Sequence, residues 1–186
     1  MVLSTGEMHG RMVRFGIIGC PVCRKEYPIA NGIVDFTGRG TGEEGPAEPK
    51  PTRLTSPVSS PADLQALLEL SGPGGFVALL GAATRHAVGL AGLMAGIHFI
   101  GVNAPPDLEE LPVLSLVRAT RGIPLRQSIA RGIVVGADLA TSPWLVEAHR
   151  VLLRGRRFVV EHDRPELPIG LEQLASAAGL WVGEKQ

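Results

Sequence analysis

Two cysteines, Cys20 and Cys23, are the first candidates for chemistry in this chain of 186 residues. They form a C-x-x-C and are the only cysteines in the sequence. Thiolates at this spacing commonly bind a metal ion or exchange a disulfide. A structural zinc ion takes four ligands, whereas the segment before Cys20 adds only His9 as a nitrogen donor. The pair therefore supplies two of the four ligands that a structural zinc site needs.

Three interpretations of the pair stay open. In the first, Cys20, Cys23 and His9 bind zinc, and water or a partner chain completes the site. In the second, the pair exchanges a disulfide, but Pro28 and Gly32 favour turns where that chemistry needs a helix. In the third, the segment no longer binds a metal ion, and its apolar side chains still pack together. Those side chains are Tyr27, Ile29, Ile33 and Phe36.

Charged groups follow two of the apolar runs. Arg85 and His86 open an expected helix, and the free N–H groups at the start of a helix can bind an anion. Because the residues of a P-loop are absent, pairing of Arg85 with a nearby acidic side chain is the favoured interpretation. Residues 161–163 read Glu-His-Asp after another run. With no nucleophile or metal motif beside them, a solvated loop is the favoured interpretation.

Composition excludes several classes of protein. The 18 basic residues balance 18 acidic ones and aromatic residues are 4% of the chain, so no nucleic-acid partner is expected. The most apolar stretch, 87–102, is shorter than the roughly 20 residues of a membrane-spanning helix, so no transmembrane segment is expected. The N-terminus lacks the order of a signal peptide. We expect a cytoplasmic chain with reduced thiols.

The elements that must position these groups lie on both sides of a linker. Residues 38–60 are rich in Gly, Pro, Ser and charge and are expected to be extended. They separate a cysteine-bearing module, 1–37, from an α/β pattern, 61–186. Apolar strands are expected within 74–81, 97–102, 112–117, 132–137, 156–162 and 180–184. Helices are expected over 62–70, 86–96, 144–153 and 170–179, with Ser60-Pro61 and Ser142-Pro143 as starts and Gly179 as a stop.

This alternation predicts an α/β fold, a Rossmann-like and mostly parallel sheet with helices on both faces. Four of its segments, in order, resemble class I S-adenosylmethionine-dependent methyltransferases. EAHRVLLRGRRFVV, 147–160, resembles the late helix and strand A-H-R-V-L-K/R-P-G-G-R-L/F-V-V of that family. FVALLGAATR falls at the cofactor loop, FIGVNAP after the second strand, and GIPLRQSIARGIVV before the fourth.

The opening segment resembles a second family. CPVCRKEYPIANGIVDF, 20–36, is similar to the second knuckle of Trm112-like zinc modules, C-P-x-C-x-x-x-Y/F-P-I/V-x-x-G-I/V-x-x-F/L. The resemblance implies that 1–37 is a small zinc-ribbon-like β module preceding the Rossmann-like domain. The first knuckle of that family is missing, so zinc at Cys20 and Cys23 is an open expectation.

The cofactor loop departs from the methyltransferase pattern. Leu79 stands where the family has an acidic residue at the end of the first strand. Gly81 is kept, but Ala83 and Arg85 replace the next two glycines, which let the backbone approach the ligand. Each of these changes weakens the loop as a cofactor site.

Two further acidic positions of the family are changed. Asn103 replaces the acidic residue after the second strand, which accepts hydrogen bonds from the ribose. Arg131 matches the aspartate before the fourth strand. The resemblance therefore implies no catalytic residue and no bound S-adenosylmethionine. The vestigial positions are Leu79, Gly81, Ala83, Arg85, Asn103 and Arg131.

The leading hypothesis for function is a non-catalytic methyltransferase-like protein that is a structural or interaction subunit of a larger assembly. Its partners would be other protein subunits, in a soluble assembly or on the exposed face of a membrane complex. One alternative is an active S-adenosylmethionine-dependent methyltransferase with a divergent pocket. Another is an activator subunit of a methyltransferase.

Overall fold

The computed structural model describes residues 2–10, 12–22, 24–38 and 59–186. In these residues the strands are β1 Val2–His9, β2 Met12–Gly19, β3 Glu26–Ala30, β4 Ile33–Asp35, β5 Phe76–Leu80, β6 His98–Val102, β7 Leu114–Arg118, β8 Ala130–Val135, β9 Arg157–Val160, β10 Leu171–Ala177 and β11 Leu180–Lys185. The α-helices are α1 Pro61–Leu68, α2 Ala87–Leu93 and α3 Ser142–Val151, and short 3₁₀ helices cover Gly81–His86 and Ala137–Leu139.

All these strands form one sheet in the order β1-β2-β3-β4-β7-β6-β5-β8-β9-β11-β10. The inner strands β7, β6, β5, β8 and β9 are parallel, and β11 joins β9 antiparallel. The chain builds outward from β5 in one direction through β6 and β7, then in the other through β8 and β9. This is the doubly wound order of Rossmann-like folds, with its switch point between β5 and β8.

Helices cover both faces of the inner strands. Leu64 of α1 and Leu90 of α2 are fully buried against one face. Leu145 and Ala148 of α3 are fully buried against the other. Parallel strands need cover on both faces because both rows of their side chains are apolar. The predicted α/β class, with a mostly parallel central sheet, is confirmed.

The predicted helix starts hold to within one residue. The Ser60 side chain accepts from the Asp63 amide, and the Asp63 carboxylate accepts from the Ser60 amide, so the start of α1 is a capping box with Pro61 in its first turn. For α3, however, the residue at the cap is Thr141, and Ser142 is already helical.

The helix predicted over 170–179 is wrong. These residues form β10 and the turn into β11. Ala178 and Gly179 have φ of 53° and 79°, the pair of left-handed residues that closes a two-residue hairpin. Residues 172–177 are all exposed and Leu171 alone of the predicted apolar face packs on the core, so the helix-like spacing of Leu171, Leu174 and Ala175 does not bury one face.

The N-terminal strands extend the same sheet. Strands β1 to β4 are antiparallel to one another, and β4 pairs in parallel with β7 through Val34 and Val117. At the knuckle, the Cys20 amide donates to the Lys25 carbonyl at 2.9 Å. Cys23 and residues 39–58, most of the predicted linker, lie outside the described residues. The zinc-ribbon character of the module therefore stays a prediction.

Two of the four side chains assigned to a packed knuckle, Tyr27 and Phe36, are in contact, whereas Ile33 packs in the other core cluster from Phe36. The rings of Tyr27 and Phe36 have centroids 4.6 Å apart, and Ile29 is buried. In the described part of the chain, no helix is both long and apolar enough to cross a membrane.

Arg131 lies at the amino end of β8, where its guanidinium donates hydrogen bonds to carbonyl oxygens of the loop before β5. It donates to the carbonyls of Ser71 at 2.6 Å and Pro73 at 3.1 Å, and also to those of Gly72 and Gly74. The planar fork of donors lets one side chain serve several acceptors. Arg131 therefore fastens the loop 71–74 at the sheet edge opposite the switch point.

We expect Arg131→Lys to lower the free energy of unfolding by about 1–2 kcal/mol, because one ammonium cannot reach the same set of carbonyls. Chemical denaturation followed by Trp fluorescence measures the loss. Arg126→Lys, at an exposed arginine, is the matched control and should change stability by less than about 0.5 kcal/mol. Equal losses of stability in the two variants would contradict this role of Arg131.

Candidate functional site

The switch point between β5 and β8 is where open α/β sheets bind ligands, outside the carboxyl ends of the strands. Gly81 follows β5, Gly136 follows β8 and Asn103 follows β6. The structure thus brings three sequence positions to one edge, and two of them, Gly81 and Asn103, are vestigial positions of the sequence analysis.

Asp138 fills the space between the two glycines. Its Oδ1 accepts a hydrogen bond from the Ala82 amide at 2.9 Å. A Cβ at Gly81 would collide with this carboxylate, and a Cβ at Gly136 would lie 2.6 Å from Oδ1 and 2.8 Å from the Ala83 nitrogen. The glycines therefore leave room for a carboxylate of the protein itself at the position where a ligand would approach.

Leu79, at the first acidic position of the family, belongs to the apolar core. Its exposed fraction is 0%, and it packs in the cluster between the sheet and helices α1 and α2. Its carbonyl accepts from Thr84 Oγ1 at 3.2 Å. Ala83 is buried in the same cluster. Neither side chain therefore faces the edge of the sheet where a ligand would bind.

Asn103 closes a reciprocal pair of hydrogen bonds with Ala119. Its Nδ2 donates to the Ala119 carbonyl and its Oδ1 accepts from the Ala119 amide, each at 2.9 Å. Asn103 has φ of 52°, a left-handed conformation that Asn tolerates better than most residues. Both ends of the amide thus tie the residue after β6 to the residue after β7.

Arg85 pairs with an acid, as the sequence favoured. Its two terminal nitrogens each donate to the Asp107 carboxylate at 2.7 Å. The hydrogen bond from Arg85 holds the pKa of Asp107 below its ordinary value. The pair is largely exposed, and it occupies the guanidinium that an external anion would need.

A buried polar cluster lies near this edge. Glu161 Oε1 accepts from Ser59 Oγ at 2.8 Å and lies 3.1 Å from His86 Nε2. All three side chains are less than a tenth exposed. The hydroxyl and the imidazole both contact the carboxylate rather than each other, so the cluster lacks the nucleophile–base contact of a hydrolase.

The sequence missed this cluster. The solvated loop expected at 161–163 is correct for His162 and Asp163, which are exposed, and wrong for Glu161, which is buried. Ser59 and His86 lie 102 and 75 positions from Glu161, and no local pattern carries such a contact.

A metal centre is not assembled in the described part of the chain, where no group of three or more His, Cys, Asp or Glu residues is placed to hold an ion. Cys23 is outside those residues. Zinc at Cys20 and Cys23 therefore stays a prediction.

The strand order, its connections and the glycine-flanked switch point together define a Rossmann-like domain. No family model matches the chain, and none of the curated proteins is similar enough to count as a relative. Solved structures that are similar to it include methyltransferases.

Three solved structures illustrate the likeness. A chain of the complex between the Haloferax volcanii Trm112 methyltransferase activator and its proposed methyltransferase partner is 19% identical, with TM-score 0.44, over 53% of this chain and 49% of that one. The antibiotic-resistance methyltransferase Kmr is 18% identical, with TM-score 0.47, over 68% and 93%. A geranyl diphosphate C-methyltransferase from Streptomyces coelicolor A3(2) is 15% identical, with TM-score 0.43, over 54% and 41%.

This chain thus spans about half or less of the length of two of these proteins. Likenesses of this size carry no argument about activity, and the fold class rests on the strand order itself.

We expect Leu79→Asp, which restores the family's acid, to lower the free energy of unfolding by about 3–5 kcal/mol, because it places an unpaired charge in the core. Leu79→Met conserves volume and should cost less than about 1.5 kcal/mol. Urea denaturation of both variants measures the difference. An aspartate tolerated at this position would show that Leu79 faces a polar site.

We expect Asp138→Ala to release the Ala82 amide and to cost about 1 kcal/mol of stability, the typical net value of such a hydrogen bond. Hydrogen exchange at the Ala82 amide should accelerate. Asp138→Asn keeps an acceptor oxygen and is the matched control, with a smaller change in exchange. Unchanged exchange in Asp138→Ala would show that the carboxylate does not protect this amide.

Proposed function

We propose that this chain is a non-catalytic methyltransferase-like protein that serves as a structural or interaction subunit of a larger assembly. The observation that carries the proposal is that polar groups at the carboxyl edge of the sheet are bonded to one another. The contacts are those of Asp138 with Ala82, Asn103 with Ala119, and Arg85 with Asp107.

These internal contacts oppose binding of S-adenosylmethionine. Its amino-acid end, which carries both a carboxylate and an ammonium, would have to displace the Asp138 side chain from the space between Gly81 and Gly136 and break its hydrogen bond with the Ala82 amide. Its ribose hydroxyls would have to displace Ala119 from Asn103. Breaking a charge-assisted hydrogen bond costs about 1.5–3 kcal/mol, which is roughly a tenfold to hundredfold loss in affinity. The proposal therefore includes no resident cofactor at this edge.

An exposed apolar patch supports association with other subunits. Phe15 and Ile17 of β2 are each 42% exposed and, two residues apart, share one face of the strand. Clustered large apolar side chains on a surface are typical of interaction sites. The partner would be a protein subunit, in a soluble assembly or on the exposed face of a membrane complex.

The second candidate function is an active S-adenosylmethionine-dependent methyltransferase with a divergent pocket. Its support is that glycines persist at the switch point, at Gly81 and Gly136, where a ligand must approach the backbone. An activator subunit, like the Trm112 protein in the Haloferax volcanii complex, is a third. In this chain the knuckle-bearing strands pair with β7 of their own domain, which favours a module acting within the chain over one acting on a separate enzyme.

Two measurements separate these functions. Isothermal titration with S-adenosylmethionine should give no saturable heat in the micromolar range, and a micromolar dissociation constant would overturn the non-catalytic proposal. In native extract, the tagged chain should elute from size exclusion with stoichiometric partners.

Binding of these partners should require the apolar patch. We expect the double variant Phe15→Ser, Ile17→Ser to lose them while keeping the circular dichroism of the wild type. Leu174→Ser, which changes an exposed leucine at the opposite edge of the sheet, is the matched control and should keep them. A wild-type chain that elutes alone, or loss of partners in the control as well, would contradict the role of the patch.

A further inference from the structure

A cavity of about 500 Å³ lies where the N-terminal strands meet the loop after β7. Its walls include Lys25, Tyr27, Phe36, Ala119, Arg121 and Gly122. Because β4 and β7 are parallel, the residues that follow them lie at the same edge of the sheet as the switch point. Strands β6 and β5 separate β7 from that point, a distance of about 10 Å, and the cavity shares Ala119 with the Asn103 contact at this edge.

The aromatic wall of the cavity is formed by two half-buried rings. The rings of Tyr27 and Phe36 lie with centroids 4.6 Å apart and planes inclined by 44°. Ala119, held by its hydrogen bonds to Asn103, is buried beside them. This wall offers a surface on which a planar apolar group can pack.

Two cations stand at the rim. Lys25 and Arg121 are both exposed, and neither takes part in an ion pair among the described residues. Asp35, the acid closest along the chain to Phe36, accepts a hydrogen bond from the Thr37 amide at 2.7 Å. The mouth of the cavity thus presents two cationic side chains above an aromatic wall.

We propose that this cavity binds a small anion attached to a planar ring, such as an aryl phosphate or aryl carboxylate. Its volume lies within the roughly 300–1,000 Å³ of small-molecule sites. The guanidinium of Arg121 matches the geometry of phosphate and carboxylate oxygens, Lys25 adds a second charge, and the ring packs on Tyr27 and Phe36. The site does not depend on the fate of the switch point.

The test is a titration of the ¹⁵N-labelled full chain with phenyl phosphate, followed by amide chemical shifts. Saturable shifts are expected at Thr120 and Gly122, with a dissociation constant of about 1 mM or tighter for a ligand of this size. Inorganic phosphate, which lacks the ring, and benzyl alcohol, which lacks the charge, should each bind at least about fivefold more weakly.

Charge variants locate the anion. Arg121→Gln and Lys25→Gln should each weaken phenyl phosphate by about fivefold, and the double variant by more. Arg126→Gln, at another exposed arginine outside the cavity walls, is the matched control and should bind like the wild type. Benzoate should follow the same pattern across the variants.

Several outcomes would overturn the proposal. They are the absence of saturation by about 10 mM phenyl phosphate, equal affinity for inorganic phosphate, wild-type affinity in the double variant, or shifts centred on Gly81 and Gly136. Each would show that the aromatic wall and its two cations do not form the binding site.

Discussion

The side chains of β5 alternate between two cores, and the rest of the domain depends on that alternation. Val77 and Leu79 pack toward helices α1 and α2, whereas Ala78 and Leu80 pack toward α3, and all four are fully buried. A strand buried on both faces has to satisfy its backbone groups through neighbouring strands, here β6 and β8. The pairing with β8 places Gly81 and Gly136 side by side.

Continuous apolar runs were sufficient to predict the inner strands, because in a parallel sheet both faces of a strand are buried and no competing pattern exists. They were insufficient at β10. There the chain is exposed on both faces, so the pairing with β11 and the left-handed turn at Ala178 and Gly179 decide the structure. Nothing in the spacing of Leu171 and Leu174 distinguishes that outcome from a surface helix.

The position of the candidate site was predictable from the sequence, but the side chains that fill it were not. Motif comparison placed Gly81 and Asn103 at the ligand edge, and it showed which family acids are missing. It did not reveal Asp138, because the contact with Ala82 joins residues 56 positions apart and the acid belongs to no motif. Arg131 was assigned to the cofactor region, whereas it fastens a loop at the other end of the strands. The position of a residue along its strand decides at which end of the sheet its side chain lies.

The parallel pairing of β4 with β7 has a consequence for assembly. An exposed strand edge is a template on which another chain can add a strand. Here the chain's own N-terminal segment occupies the edge of β7, so within the described residues the outermost strands are β1 and β10. The edge of β1 adjoins the large exposed apolar side chains of Met8 and Phe15, whereas Leu174 is the large apolar side chain that β10 exposes. The N-terminal strands thereby place this open edge of the sheet at β1, beside exposed apolar side chains.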